Sequence, residues 1–392
     1  MKVTRVESLH CDAGWRNFSF LKITTDSGIV CWSEYNASYG AVGLPAAIDA
    51  LAPRVVGKDP LAIEAVVAEL YAVTRQAAGG VVQEAIGAIE NALLDVKGKA
   101  LNVPVYVLLG GPVRDRLQLY WSHCGTTRVR DAAHCGVKPL KKLKDVERLG
   151  REVRDRGFTA LKTNLLIFDE GEPFTHMPGF YRGGSGAPAL NATPRLIRSI
   201  RNTLEAFREG AGPDVGILLD LNYNFKTEGY LQVTRALDDL GLFWFEIDTY
   251  DPQGLAYIRR SVETPIASCE SLHGMRQFLP YFENRAMDVC IIDEVWNGVA
   301  LAHKIAAVAE AYEINVAPHN FYGHLSTLHS AHLCAALPNF RIMEIDVDDV
   351  PWKDELVTPV PRIEDGHLVL PTGAGWGAEV NEDVVRKHPP KR

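Results

Sequence analysis

The sequence predicts an α/β protein built around a (β/α)8-type barrel, with a smaller α+β domain ahead of it. Three observations carry this. Beyond about residue 112, eight short apolar runs alternate with helical patterns; that is the signature of a parallel sheet, and eight strands close a barrel. Seven of the eight runs end in an ionisable residue, one strand–helix unit apart. Residues 1 to about 100 read differently, as strand-like alternation followed by a long helical stretch.

The elements follow in order. "MKVTRVESLH" and "FSFLKITTDSGIVCWSEYN" alternate, and Asp26-Ser27-Gly28 is a turn between two strands. From about Ala46 to Ala100 the spacing is helical. "VVQEAIGAIENALLDVKGKALNVPV" is the clearest case, with apolar Ile86, Ile89, Leu93, Leu94 and Val96, and it stops at Asn102 and Pro104. "LLGGPVRDR" breaks the pattern and marks a domain junction near Gly110 to Arg116. The barrel strands are expected at 117–122, 159–163, 216–221, 242–247, 265–269, 288–293, 314–318 and 340–345. Helical patterns such as "TPRLIRSIRNTLEAFREG" and "GVALAHKIAAVAEAYE" separate them. The Gly- and Pro-rich stretch 167–191 follows the second strand and reads as an active-site wall. The tail from Pro351 is turn-rich, and its closing "HPPKR" reads as frayed.

The 392 residues are too many for one ordinary core and suit two domains, or one barrel with an added domain. Apolar content of 47% and charged content of 23% are those of a soluble globular enzyme. With a formal charge of −8 and scattered Lys and Arg, nucleic acid is not an expected partner. No run is long and apolar enough for a membrane span, and no signal leader is evident. The seven cysteines show no CxxC spacing. They read as small core residues of a cytoplasmic protein rather than a disulfide or zinc framework.

The chemistry lies in the ring of strand ends: Lys162, Asp220, Glu246, Glu270, Asp293, His319 and Glu344. From Asp220 onward they are about 25 residues apart, so all project at the C-terminal mouth, where barrel active sites sit. Taken singly, each carboxylate reads best as a helix cap or salt-bridge partner. Asp220, Glu246 and Glu270, on three consecutive strands, reverse that reading, because three adjacent buried carboxylates repel one another unless a cation lies between them. An all-oxygen donor set favours Mg²⁺, or Mn²⁺, over zinc. Asp293 beside His319 suits a general base with a fixed tautomer; the alternative is a structural His at the start of a loop. Lys162 is either a solvated strand-end residue or a stabiliser of charge on a substrate oxygen. Glu344 is either a cap or an acid.

The order Lys, Asp, Glu, Glu, Asp-His, Glu resembles the enolase superfamily, in particular its mandelate racemase subgroup. "ENALLDVKGKALNVPVYVLLGG" is similar to the stretch joining that family's capping domain to its barrel. The resemblance implies a modified (β/α)7β barrel over 113–350. It also implies an α+β capping domain over 1–112, completed by the C-terminal segment 351–392. It assigns Mg²⁺ to Asp220, Glu246 and Glu270, and the metal binds the substrate carboxylate and stabilises the enediolate. His319, oriented by Asp293, becomes the base. Lys162 and Glu344 bracket the carboxylate oxygens, and Asn222 contacts substrate or the metal shell.

One departure bears on the reaction. Many relatives carry Lys-x-Lys on the second strand, the second Lys being the base on the opposite face. This chain reads "LKTNLL", with Asn164 at that position. Asn cannot take a proton, so two-base racemisation through that pair is not expected. A single base suffices for syn β-elimination, in which His319 takes the α-proton and then protonates the departing 3-hydroxyl. Lys-x-Asn also occurs in galactonate dehydratase-like members. Those place His two residues after the first metal ligand, where this chain has Asn222. The expected reaction is thus dehydration of an acid sugar to a 2-keto-3-deoxy acid, with epimerase or lactone cycloisomerase chemistry as the alternative. A non-catalytic acid-binding barrel is the alternative of another class. His123 is the candidate second acid or base, or a half-buried structural His. Trp15 and Arg16 follow the first strand, where the family has a specificity loop. His176, Tyr181 and Arg182 are candidates for a distal substrate group, with a solvated loop as the default. The family often forms homo-oligomers.

Overall fold

The computed structural model describes residues 1–38, 41–180 and 190–391. The first domain begins with an antiparallel sheet of β1 (Val3–Asp12), β2 (Asn17–Thr25) and β3 (Val30–Tyr35). Helices α1 (Leu44–Val55), α2 (Ile63–Val73) and α3 (Gly80–Leu101) follow. Every residue of α3 from Gln83 to Val96 is buried, as for a helix enclosed on all sides. It ends where the left-handed Asn102, at φ 55°, caps it.

Eight parallel strands form the barrel: β4 (Arg116–Ser122), β5 (Ala160–Thr163), β8 (Gly216–Asp220), β9 (Trp244–Glu246), β10 (Ile266–Ser268), β11 (Val289–Ile292), β12 (Asn315–Pro318) and β13 (Met343–Asp346). A small hairpin, β6 (Leu166–Ile167) with β7 (Phe174–Thr175), lies in the long connection after β5. β13 pairs with β4, and a parallel bridge between Val316 and Phe340 links the β12 side. Helices cross between successive barrel strands, for example Pro194–Ala211 and Val299–Ala311. No barrel helix follows β13 among the described residues. The chain instead continues through β14 (Val357–Thr358), β15 (Ile363–Glu364), β16 (His367–Val369) and β17 (Glu379–Val380). β16 pairs antiparallel with the start of β4, and β17 pairs with β14.

The barrel is filled rather than hollow. Tyr120, Ala160, Leu218, Trp244, Ile291, Ala317 and Ile342 form one buried cluster inside it. Successive side chains on a strand alternate between faces. The residues two positions on therefore point the same way, one layer nearer the mouth.

The first domain grips the barrel at the loops that follow β11 and β12. Asn91 on α3 receives the Val299 N–H at 2.8 Å and donates to the Glu294 carbonyl at 3.0 Å. Glu34 on β3 accepts the N–H groups of Gly323 and Ser326, at 2.6 and 2.9 Å, at the start of helix His324–Ala336. The C-terminal segment is tied in as well. Buried Asp95 accepts the N–H groups of both Trp32 and Trp376 at 2.9 Å. Lys391, the last described residue, is anchored rather than frayed, because it exchanges backbone and side-chain bonds with Asn17.

Gly87 allows α3 to lie against the barrel: a Cβ there would sit 2.8 Å from Gly298 N and 2.9 Å from the Trp296 carbonyl. Both contacts are backbone, so neither yields cheaply. Gly87→Ala is expected to cost about 1–3 kcal/mol in urea unfolding despite the better helix propensity of Ala. Unchanged or raised stability would show that this contact is looser than described.

Candidate active site

The layer above the apolar plug holds the charged ring. Lys162, Asp220, Glu246, Asp293, His319 and Glu344 each stand two residues beyond a plug residue: Ala160, Leu218, Trp244, Ile291, Ala317 and Ile342. All six are buried, as is Glu270 at the end of β10. A further step of two gives an outer layer containing Asn164, Asn222, Asp248 and Asp346, also buried.

Lys162 lies between two carboxylates, 2.8 Å from Glu246 and 2.8 Å from Glu344. Burial disfavours its charge, but the two carboxylates hold the ammonium well above its usual range. Glu344 also accepts from the Ser122 hydroxyl at 2.5 Å and the Asn320 N–H at 2.6 Å. Burial would raise its carboxyl; Lys162 outweighs this and brings it down to about 2. Glu344 is thus an ionised anchor for Lys162. Of the two roles open to it, cap or acid, the acid is the one corrected, because a carboxylate with three donor contacts and so low a pKa carries no proton to give. It lies behind Lys162, outside the cavity lining.

Asp220, Glu246 and Glu270 form an arc on consecutive strands. Burial raises all three carboxyls, against the opposing pull of Lys162 on the first two and of His319 on Glu270. Asp248 joins them: burial, then the charge of Glu270, raises its carboxyl well above the ordinary range, and its Oδ2 is buried without a hydrogen bond. The donor chemistry fits a hard divalent cation, since four buried carboxylates share little positive charge. The side chains themselves stand apart. Asp220 bonds Asn164 at 3.1 Å and the Asn222 N–H at 2.9 Å. Glu246 engages Lys162 through one oxygen and the Trp244 indole, at 3.0 Å, through the other. Among the described residues no three His, Cys, Asp or Glu side chains already converge on one ion position.

His319 Nδ1 lies 2.6 Å from Asp293 Oδ2, which also accepts the Tyr322 hydroxyl at 2.5 Å. The other Asp293 oxygen caps the short helix Glu294–Asn297 through the Trp296 N–H. His319 Nε2 is 3.6 Å from Glu270. Burial disfavours the imidazolium, but Glu270 and Asp293 outweigh it and hold the ring well above its usual range.

These groups face a cavity of about 370 Å³, of a size for a small organic acid. Lys162, Asn164, Asp220, Asn222, Glu270 and His319 line it, as do His123 and Trp15. Met177 and Phe180 of the long loop form part of its wall. The wall is more aromatic than the polar loop sequences suggest: Trp296, Tyr223, Tyr250 and Phe321 also face inward. Glu84, from α3, reaches the same cavity and lies 3.3 Å from His273, whose ring stacks on Trp296. Neither Glu84 nor Asp248 was expected. Asp248 obeys the two-residue step, whereas Glu84 carries no local signal because its role comes from domain packing.

Four residues expected near the substrate fall elsewhere. Arg16 lies outside the cavity lining. It is buried against Asp349 at 2.8 Å and the Phe321 carbonyl, over the faces of Trp15 and Phe18. His176 packs on Phe225, with ring centroids 6.3 Å apart, and lies outside the cavity lining. Tyr181 and Arg182 lie outside the described residues.

Glu344→Gln would leave Lys162 with only Glu246. The expected loss is about 3–5 kcal/mol in urea unfolding at pH 7, as for breaking a buried pair. A carboxylate with a depressed pKa stabilises fully above its unfolded value, near 4.5. The penalty of the substitution should therefore shrink as pH falls from there toward about 2.

Comparison with known proteins agrees with this architecture. The mandelate racemase / muconate lactonizing enzyme N-terminal domain family matches residues 11–110, and the enolase C-terminal domain-like family matches residues 145–384. The chain is 30% identical to a D-galactonate dehydratase of Variovorax paradoxus, covering 98% of this chain and 94% of that one. It is 28% identical to a D-xylonate dehydratase of Haloferax volcanii, over 99% and 89%. Among solved structures, a protein of Burkholderia xenovorans strain LB400, described as a "putative L-alanine-DL-glutamate epimerase", is 52% identical. It superposes with a TM-score of 0.98 over 100% of this chain and 99% of that one. A second structure of that name and strain, bound to magnesium and fumarate, gives a TM-score of 0.97 at 52% identity, over 100% and 96%. The matched domains span most of the chain, and it belongs to the mandelate racemase / muconate lactonizing enzyme family of the enolase superfamily.

Proposed function

We propose that the protein is a Mg²⁺-dependent dehydratase of an acid sugar, an aldonate or aldarate, and forms a 2-keto-3-deoxy acid. The observation that carries this is the His319–Asp293 pair facing a cavity in which Asn164 occupies the second-strand base position. Asp220, Glu246 and Glu270 would hold Mg²⁺, or Mn²⁺ in its place. When bound, the metal supplies positive charge for the substrate carboxylate and its enediolate. His319 takes the α-proton through Nε2, while Asp293 holds Nδ1 and favours the imidazolium that forms. Lys162, kept charged by two carboxylates, lies at the floor of the cavity and offers an ammonium to a substrate oxygen. Asn164 and Asn222 present amides to the same space and cannot act as bases. The dehydratase names of the two relatives support the reaction class, and magnesium with fumarate on the 52% identical structure supports a metal beside a small carboxylate.

Epimerisation is the second reading, favoured by the name of that same structure. The two are separated by incubating a stereochemically complete acid-sugar library with Mg²⁺ in D₂O. Semicarbazide-reactive keto product is expected from one or a few acids, and His319→Asn should lower its formation by about 10²–10⁴-fold. Deuterium entering the α-position without loss of water would replace dehydratase by epimerase.

The metal assignment has its own test. Carboxyls raised by burial bind more protons folded than unfolded, so their charge destabilises the fold as pH rises above the unfolded value, near 4. A divalent cation offsets that charge. Mg²⁺ should therefore raise the Tm by a few degrees at pH 8 and by less at pH 5. Asp220→Asn, which can still accept the Asn222 N–H, should remove most of the shift. An equal shift in the variant would count against the site.

A further inference from the structure

A second histidine–aspartate pair stands at the same mouth. His123, just beyond β4, places Nδ1 2.9 Å from Asp346 Oδ1. Asp346 ends β13, directly beside Ser122 in the parallel register. Buried Arg16 approaches the other Asp346 oxygen at 3.5 Å. With Nδ1 occupied, Nε2 is the free nitrogen of a ring that lines the cavity, and it has no protein hydrogen bond among the described residues. The arrangement repeats that of His319 and Asp293: a histidine just beyond one strand end, held through Nδ1 by an aspartate at the end of the neighbouring strand.

The positions of the two histidines favour neighbouring atoms of one substrate. β4 and β12 are separated around the barrel only by β13, so the imidazoles occupy adjacent sectors rather than opposite faces. Phe321 lies between them, its ring centroid 4.9 Å from His319 and 5.8 Å from His123. The two imidazole centres are therefore less than about 11 Å apart. Two hydrogen bonds of about 3 Å each, joined through one carbon–carbon bond, lie within that bound. His123 also has a left-handed backbone, φ 45°, a conformation uncommon for any residue but Gly, with Asn, Asp and His the usual exceptions.

We propose that His123, held by Asp346, is the acid that delivers a proton to the departing β-hydroxyl, leaving His319 as base alone. This rests on the dehydratase reading. His319 Nε2 accepts the α-proton, and the C–H electron pair becomes the new C=C bond. The Cβ–O bond breaks with its pair on oxygen, which takes the proton from His123 Nε2 and leaves as water. The enol tautomerises to the ketone, and solvent returns both rings to their starting states. No outside oxidant or reductant is needed.

The test is His123→Asn, chosen because Asn tolerates a left-handed backbone and can still bond Asp346. The probes are the aldonate returned by the library screen and its 3-deoxy-3-fluoro analogue, whose fluoride leaves without a proton. Three rates are read for wild type and variant: loss of water, loss of fluoride, and α-deuterium exchange in D₂O. The variant should lose water at least about 10²-fold more slowly, yet release fluoride within about tenfold of wild type and keep α-exchange. Water loss near the wild-type rate in the variant overturns the proposal and leaves the dehydratase reading intact, with His319 serving twice. Collapse of all three rates also overturns it, because His123 would then serve binding or folding. Wild-type exchange with no elimination from either probe overturns the dehydratase reading and this proposal together.

Discussion

The ammonium of Lys162 is the charge on which the mouth of the barrel depends. It occupies the centre of the ring between Glu246 and Glu344, each at 2.8 Å. Without it, the floor of the cavity would hold several buried carboxylates facing one another, an arrangement that folds only with protons taken up. Its effect is uneven: Glu344 is pulled down to about 2, while Glu246 and Asp220 remain raised by burial. One side of the ring is thereby neutralised, while burial raises the carboxyls of the arc of Asp220, Glu246, Asp248 and Glu270, which have too little positive charge beside them to offset it. His319, drawing on Glu270 and Asp293, stands at the far end of that arc.

Much of this was legible in the sequence, for a geometrical reason. A barrel strand turns every second side chain inward, so a charge that ends an apolar run sits on the plug axis. Lys162, Asp220, Glu246, Asp293, His319 and Glu344 obey that rule through their partners two residues earlier. The same step identifies Asp248 and Asp346, which are passed over when the reading stops at the first charge of each run. Other features have no local signature. Arg16 reads as a loop residue over the cavity, but its surroundings are set by Asp346 and Asp349, more than 300 residues away in the chain. Glu34 and Glu84 belong to strand and helix patterns of the first domain. Their partners appear only when that domain meets the barrel.

That meeting orients the elements that carry the candidate site as well as covering them. Asn91 and Gln83 of α3 bond the backbone around Glu294, Asn297 and Val299, immediately after Asp293. Glu34 caps the helix that starts five residues after His319. The aromatic wall adds a different constraint. Trp296 stacks on His273 and meets His319 edge-on, with ring centroids 5.8 Å apart, so the imidazole is packed rather than merely hydrogen-bonded. Such packing narrows the rotamers open to an imidazole and keeps Nε2 aimed into the cavity.

The Glu34 cap has a consequence for how such proteins diversify. A carboxylate from the third strand of the chain sets the start of a helix in the last quarter of the barrel, next to His319. A barrel grafted onto a different first domain would lose that cap and the part of the cavity wall supplied by Glu84 in one event. The wall of the cavity and the footing of His319 would therefore change together, and one continuous buried cluster, running from Val3 to Val385, joins the two domains.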